Sequence, residues 1–245
     1  MKSRIVFFAL VLALLVPLAG CDGVNPEQEL AERQQARVKA EVQRQYANFE
    51  QLLAAGRADL ALNVADHVLK TYPDSEVAPK LREQIEPLRA QILAEREARR
   101  LVDLWVYHDD MDEEAGGRVR SAYLFAKDPI GPAADGKQAP RARMVLRRHP
   151  QWGDDVYLLS ERGPFQCGNP CELTVQFDDD EPRVVGGEIP ETGEHAIFVK
   201  DFDYFVDRLP SASRVRFDFL LQDGGTQSAL FEVGGYQPET IEAQD

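Results

Sequence analysis

The chain reads as an α+β protein: an N-terminal helical hairpin segment followed by a C-terminal antiparallel β-sandwich of jelly-roll type. Two observations predict this. Apolar residues recur every three or four positions from Val38 to Ile92, which is the helical period. After Arg100 the period changes to alternation, and Gly and Pro punctuation becomes dense, as expected of short strands joined by turns. A hydrophobic content of 44% is enough for a real core.

The chain opens with Lys2 and Arg4, an apolar run from Ile5 to Val16, then Pro17 and small residues before Cys21, which is the layout of an export signal. The run is too short to span a ~30 Å hydrocarbon core comfortably as a helix. At Leu18-Ala19-Gly20-Cys21 the sequence resembles bacterial lipoproteins. That resemblance implies cleavage of 1–20, diacylation of the Cys21 sulfur, acylation of the new amine with fatty acids such as palmitate, and a periplasm-facing anchor in the cell envelope. Each acyl chain contributes about 0.8 kcal/mol per buried methylene, so two or three chains anchor the protein firmly. In the enterobacterial lipoproteins it resembles, an Asp after the lipidated Cys, as Asp22 is here, favours the inner membrane.

Loss of Lys2 and Arg4 with the signal takes the formal charge from -14 to -16. So acidic a surface repels nucleic acid and anionic headgroups. The expected membrane link is therefore the lipid alone, and the expected partner an envelope protein.

Residues 21–37 read as the lipidated cysteine and a polar segment, since Pro26 to Arg37 is polar on every side of any helix drawn through it: a solvated helix start or a tether. Helices follow over 38–100. The first carries Val38, Val42, Tyr46, Phe49 and Leu52 or Leu53 and ends at Gly56; the second carries Leu60, Ala61, Val64, Val68 and Leu69 and is stopped by Pro73. The third carries Val77, Leu81, Ile85, Leu88 and Ile92, with a kink or break expected at Pro87. Gly56, Ala61 and Pro73 fall at the spacing of a single tetratricopeptide-like hairpin, which this stretch resembles. Such a hairpin is a packing spacer or a groove for a peptide or partner. The charged Ala94 to Arg100 reads as a solvated helical face and hinge.

The β-domain is placed at 101–236, with an acidic tail at 237–245. Strands are predicted at Leu101–Tyr107, Arg118–Phe125, Arg141–Arg148, Asp155–Leu159, Glu172–Phe177, His195–Val199, Ser213–Leu221 and Thr226–Val233, with a short helix over Asp201–Leu209 and a long loop over Lys127–Pro140. Trp105 and Tyr107 with the acidic Asp109–Glu114, Gly163-Pro164-Phe165-Gln166-Cys167 with Cys171 and Phe177-Asp178, and Phe205–Leu209 with Phe231-Glu232-Val233-Gly234-Gly235 carry a further resemblance. It is to largely uncharacterised bacterial envelope proteins, and more distantly to accessory proteins of type VI secretion systems. It implies no catalytic residues.

With Cys21 given to lipid, Cys167 and Cys171 form an even pair in an oxidising space. They flank Gly168-Asn169-Pro170 between two predicted strands, which favours a structural disulfide over a redox pair or metal ligands, because no helix N-terminus is predicted there to lower a thiol pKa. The acidic runs Asp109–Glu114 and Asp178–Glu181 lack the glycine and ligand spacing of an EF-hand loop and read as solvated turns. His67, His108, His149 and His195 are scattered without metal-ligand spacing, and His108 beside Asp109 and Asp110 reads as a surface strand end. No GxSxG, HExxH, P-loop or Rossmann fingerprint is present. The expectation is therefore no catalytic residue, metal or cofactor, and a protein-interaction or scaffold module of the envelope. A secretion accessory and a thiol-disulfide oxidoreductase are the alternatives.

Overall fold

In the computed structural model, residues 25–134 and 136–242 are described. The signal segment, Cys21 and Asp22 lie outside them. The chain divides into two units that meet between Arg89 and Ala90.

The first unit is helical. Helix α1 (Pro26–Ala54) starts where Asn25 accepts a hydrogen bond from the Glu27 N–H at 3.1 Å, with Pro26 at its first position. The polar segment Pro26–Arg37 is thus helical, and every residue from 25 to 40 is exposed. Gly56, at φ +69°, ends α1, and the Arg57 N–H closes back on the Leu52 carbonyl at 2.8 Å. Helix α2 (Ala58–Thr71) buries Ala61, Ala65 and Val68 completely, and α1 contributes Val42 and Phe49. The two small alanines let the α1 and α2 axes approach. The Arg89–Asp66 pair ties the following helix to α2, and Lys39–Glu76 at 2.8 Å ties α1 to the turn before it.

Helix α3 (Ala78–Asp103) departs from the sequence reading at its C-terminal end. It runs unbroken through Pro87, because the ring lies on the exposed side, where water can satisfy the freed carbonyl, while Ile85, Leu88 and Ile92 stay buried. It also continues to Asp103, so the strand predicted at Leu101–Tyr107 is instead a last helical turn, closed by Trp105 N–H to the Val102 carbonyl at 3.1 Å, followed by β1 (Val106–Asp112). The acidic run expected as a solvated turn is therefore largely strand; the turn itself is 113–116.

The second unit carries β2 (Gly117–Phe125), β3 (Ala142–His149), β4 (Gly153–Ser160), β5 (Phe165–Gln166), β6 (Glu172–Phe177), β7 (Arg183–Glu188), β8 (Ala196–Val199), helix α4 (Phe202–Arg208), a 3₁₀ turn (Leu209–Ser211), β9 (Val215–Leu221), β10 (Gly225–Phe231) and the short α5 (Glu239–Glu242). Strands β5 and β7 were not anticipated. The order is β1-β2-β3-β4-β8-β7-β6-β9-β10, every pairing antiparallel, with β5 beside β9. The α+β class and the antiparallel sheet are as the sequence predicts.

Strand β7 passes between the two layers, pairing with β6 through Arg183–Gly186 and with β8 through Gly187 and Glu188. A Cβ on Gly187 would stand 2.7 Å from a Leu173 methyl and 2.9 Å from the Cys171 sulfur, so a larger residue at this corner would force these neighbours to shift. Leu124, Met144, Leu146, Leu158 and Ile197 of one layer share a core with Phe165, Phe177, Phe217 and Phe231 of the other. Phe205 of α4 stacks on Phe217 at 5.6 Å. The Lys127 N–H donates to the Leu230 carbonyl at 2.7 Å, drawing β10 to the end of β2.

The unit's two chain ends are clamped together. Trp105 donates through Nε1 to the Val233 carbonyl at 3.2 Å and packs on Tyr236 at 5.0 Å. The Gln237 N–H donates to the Tyr107 hydroxyl at 2.8 Å. Ile241 of α5 is buried, so the segment expected as an acidic tail is packed as far as Ile241. Arg100 and Lys127 flank Glu232 at 2.9 and 3.2 Å and hold its carboxyl below the usual carboxylate range, Arg100 contributing most.

Gly235 sits at φ +86°, where an added Cβ would lie 2.6 Å from the Val102 nitrogen. Gly235→Ala is expected to cost about 3 kcal/mol or more in urea unfolding, against about 1 kcal/mol for Gly116→Ala, whose site has similar φ but open space. Because the Glu232 pKa is depressed on folding, its contribution is complete above its ordinary value of 4.5 and is lost as pH falls through the lower folded value. Glu232→Gln should thus cost about 1–2 kcal/mol at pH 7, and the gap to the native protein should narrow below pH 4.5 in the same titration.

Candidate functional site

The outer face of the first layer is clothed in aromatic rings. Register places Val106, Tyr123, Val145, Tyr157 and Phe198 in one row across β1, β2, β3, β4 and β8. Val145 is buried although it points away from the core. Two arginines of β3 cover the rings: Arg143 lies 5.0 Å from the Tyr123 ring centre, and Arg147 lies 5.2, 5.4 and 6.0 Å from Trp152, Tyr157 and Phe198. Burial pushes the Tyr157 phenol pKa upward, against the pull of Arg147 and Arg143, so it stays a neutral hydroxyl.

At the β4–β8 end of this face lies an open cleft of about 660 Å³. The β3–β4 turn supplies Trp152, β4 supplies Asp154 and Asp155, and β7 with its following loop supplies Glu188, Thr192 and Glu194. Phe198 and Lys200 on and after β8, with Asp201 and Phe202 at α4, complete it. Trp152 is 65% exposed, yet it is fixed from beneath. Its indole is stacked on the His149 imidazole at 3.9 Å and 10°, and His149 is only 6% exposed. Nδ1 of His149 accepts the Gln151 and Trp152 N–H groups, both at 3.2 Å, so one buried ring holds the turn and carries the indole. Nε2 faces Asp112 at 3.8 Å.

Of the residues singled out in the sequence, Cys167 and Cys171 lie at disulfide distance, their Cα atoms 4.8 Å apart. The pair sits between β5 and β6 and packs against the core, with Cys171 beside the Gly187 corner. No helix begins there. The acidic runs serve the turns and strand pairing. Asp178, at φ 45°, accepts the Ser213 and Arg214 N–H groups at 3.0 Å; Asp180 pairs with Arg208, and Asp109 with Arg118 at 2.7 Å. His108 stacks on Tyr123, His67 is exposed on α2, and His195 is exposed before β8. Among the described residues no group of three or more His, Cys, Asp or Glu could hold a metal ion. No helix among them is long and apolar enough to cross a membrane.

Sequence reading missed Trp152, Arg147 and the carboxylates facing them. The available signal was His149-Pro150-Gln151-Trp152-Gly153, a turn holding a large aromatic beside a histidine. The class defined by this geometry is an α+β chain whose antiparallel sandwich carries an aromatic, ion-pair-rimmed cleft. In comparisons with known proteins, no family model matches the chain, and no curated protein or solved structure is significantly similar to it.

His149→Ala is expected to remove the support of the turn. Trp105 is 5% exposed, so acrylamide quenching of tryptophan emission reads Trp152. Quenching should rise and its anisotropy fall in the variant, and unchanged values would mean that His149 does not hold the indole.

Proposed function

We propose that this protein is a lipid-anchored binding module of the bacterial cell envelope, tethered through Cys21 and holding an envelope component in the Trp152 cleft. The observation that carries the reading is an exposed indole fixed in place by a buried histidine. A rigid aromatic anchor in a preformed concavity gives affinity at little ordering cost. The lining contains no Cys, Ser or His, and its one hydroxyl is that of Thr192. The helical unit, exposed from 25 to 40, serves as spacer between lipid and β-unit or as a docking hairpin for a second partner.

Labelled palmitate should enter the full-length chain in bacterial cells and fail to enter Cys21→Ala. A photo-crosslinking residue at Thr192 should capture a reproducible envelope component, whatever its class, and Trp152→Ala should reduce that capture severalfold. Label retained in Cys21→Ala would refute the anchor; no capture in repeated experiments would refute the cleft as a binding site.

A further inference from the structure

The carboxylates around the Trp152 cleft are mostly paired within the chain. Asp155 pairs with Arg147 at 2.6 Å, Asp154 with Arg148 at 2.8 Å, Glu188 with Lys200 at 3.0 Å and Asp201 with Arg183 at 2.7 Å. Of the five carboxylates in the lining only Glu194 has no ion-pair partner among the described residues. A free cation entering the cleft would therefore find each of the other four carboxylates engaged. Arg147 lies 5.2 to 6.0 Å from the Trp152, Tyr157 and Phe198 ring centres, so a ligand cation approaching those rings would meet a like charge, whereas a neutral ring would not. A free anion would meet those same carboxylates around every cation it could reach.

What remains on offer is an aromatic surface and a rim of paired donors and acceptors. A carboxylate that spends one oxygen on a cation keeps further lone pairs for hydroxyl groups, and a hydroxyl can donate to the acid and accept from the base of the same pair. A molecule that matches both is uncharged, rich in hydroxyls and apolar on one flat face. A pyranose ring has that chemistry. The volume, about 660 Å³, lies within the range of about 300–1,000 Å³ usual for small-molecule sites.

We propose that the cleft binds an uncharged saccharide chain, with a sugar ring stacked on the exposed surface of Trp152 and its hydroxyls held by Glu194 and by the Arg147–Asp155 and Lys200–Glu188 pairs. This rests on the cleft being the binding site, as proposed above.

The test uses the full-length chain in a detergent without a sugar headgroup, titrated calorimetrically with chitohexaose, maltohexaose, spermidine and inorganic phosphate. At least one hexasaccharide should bind saturably, protect Trp152 from acrylamide and shift its emission to the blue. Trp152→Ala should weaken that binding about tenfold or more, Glu194→Gln should weaken it less, and Trp152→Tyr should restore part of it. Circular dichroism confirms that each variant is folded. If neither sugar binds while the Thr192 crosslink still captures a component, the saccharide inference is overturned and the binding site stands. If spermidine or phosphate binds more tightly than both sugars, the ligand is ionic and the inference falls. Sugar binding unchanged in folded Trp152→Ala would also overturn it, by placing the sugar elsewhere. Absence of both sugar binding and crosslinking overturns the site and the inference together.

Discussion

The β-unit depends on the clamp between the last turn of α3 and the exit of β10. Strands β1 and β10 are the two ends of the strand order, and an antiparallel sheet with two free ends invites pairing with other chains. Here the chain entering β1 and the chain leaving β10 are fastened to each other through Trp105 and Val233, while Arg100 and Lys127 close on Glu232 from either side. The contact is intimate enough to exclude any side chain at Gly235. A single net hydrogen bond is worth only about 1 kcal/mol; the larger part comes from burying Trp105, Tyr236, Val233 and Ile241 together.

Fastening the ends leaves the middle of the sheet free to change layer, and it does so at one place. Gly186 and Gly187 let β7 leave β6 and join β8, and the Cys167–Cys171 loop is fixed at that corner by the Gly187 N–H to the Cys171 carbonyl at 2.8 Å. The cleft is built just beyond this crossing, where the loop after β7 faces the β3–β4 turn. The motif residues around Trp105, Phe165, Cys171 and Gly235 are thus structural fasteners, and the cleft they support is lined by residues of a different kind.

The helical half was legible because its signal is local. Ala61, Val68, Leu81 and Ile85 recur at the helical period and are buried where that period puts them. Leu101–Tyr107 misled because a helix end and a strand start share the same seven residues, and alternation over so short a run cannot separate them. The acidic β1 misled for a different reason: Asp109 and Asp112 are charges on an edge strand, where they discourage further pairing. Composition alone cannot distinguish such an edge from a turn. The cleft was least legible. Arg147 and Tyr157 alternate correctly as outward-facing residues, so the sequence marks them as solvated. Only the register, which brings β3 against β4 and β4 against β8, reveals that arginines roof an aromatic row.

A single exposed hydrophobic side chain is ordinary on protein surfaces and asks for no explanation. Trp152 differs because a buried polar ring is committed to it. Burying an imidazole without partners would cost roughly 1–3 kcal/mol, and His149 escapes this by accepting two N–H groups from the turn that carries the indole. An apolar residue would fill the same space and leave those N–H groups unserved. Turn, histidine and indole are therefore one piece, and the Arg147–Asp155 pair beside it is the most buried of the ion pairs around it. What such a site gains is a low ordering cost; what it gives up is adaptability. That trade suits a ligand whose own shape is rigid and repeated, and it suits a flexible peptide poorly.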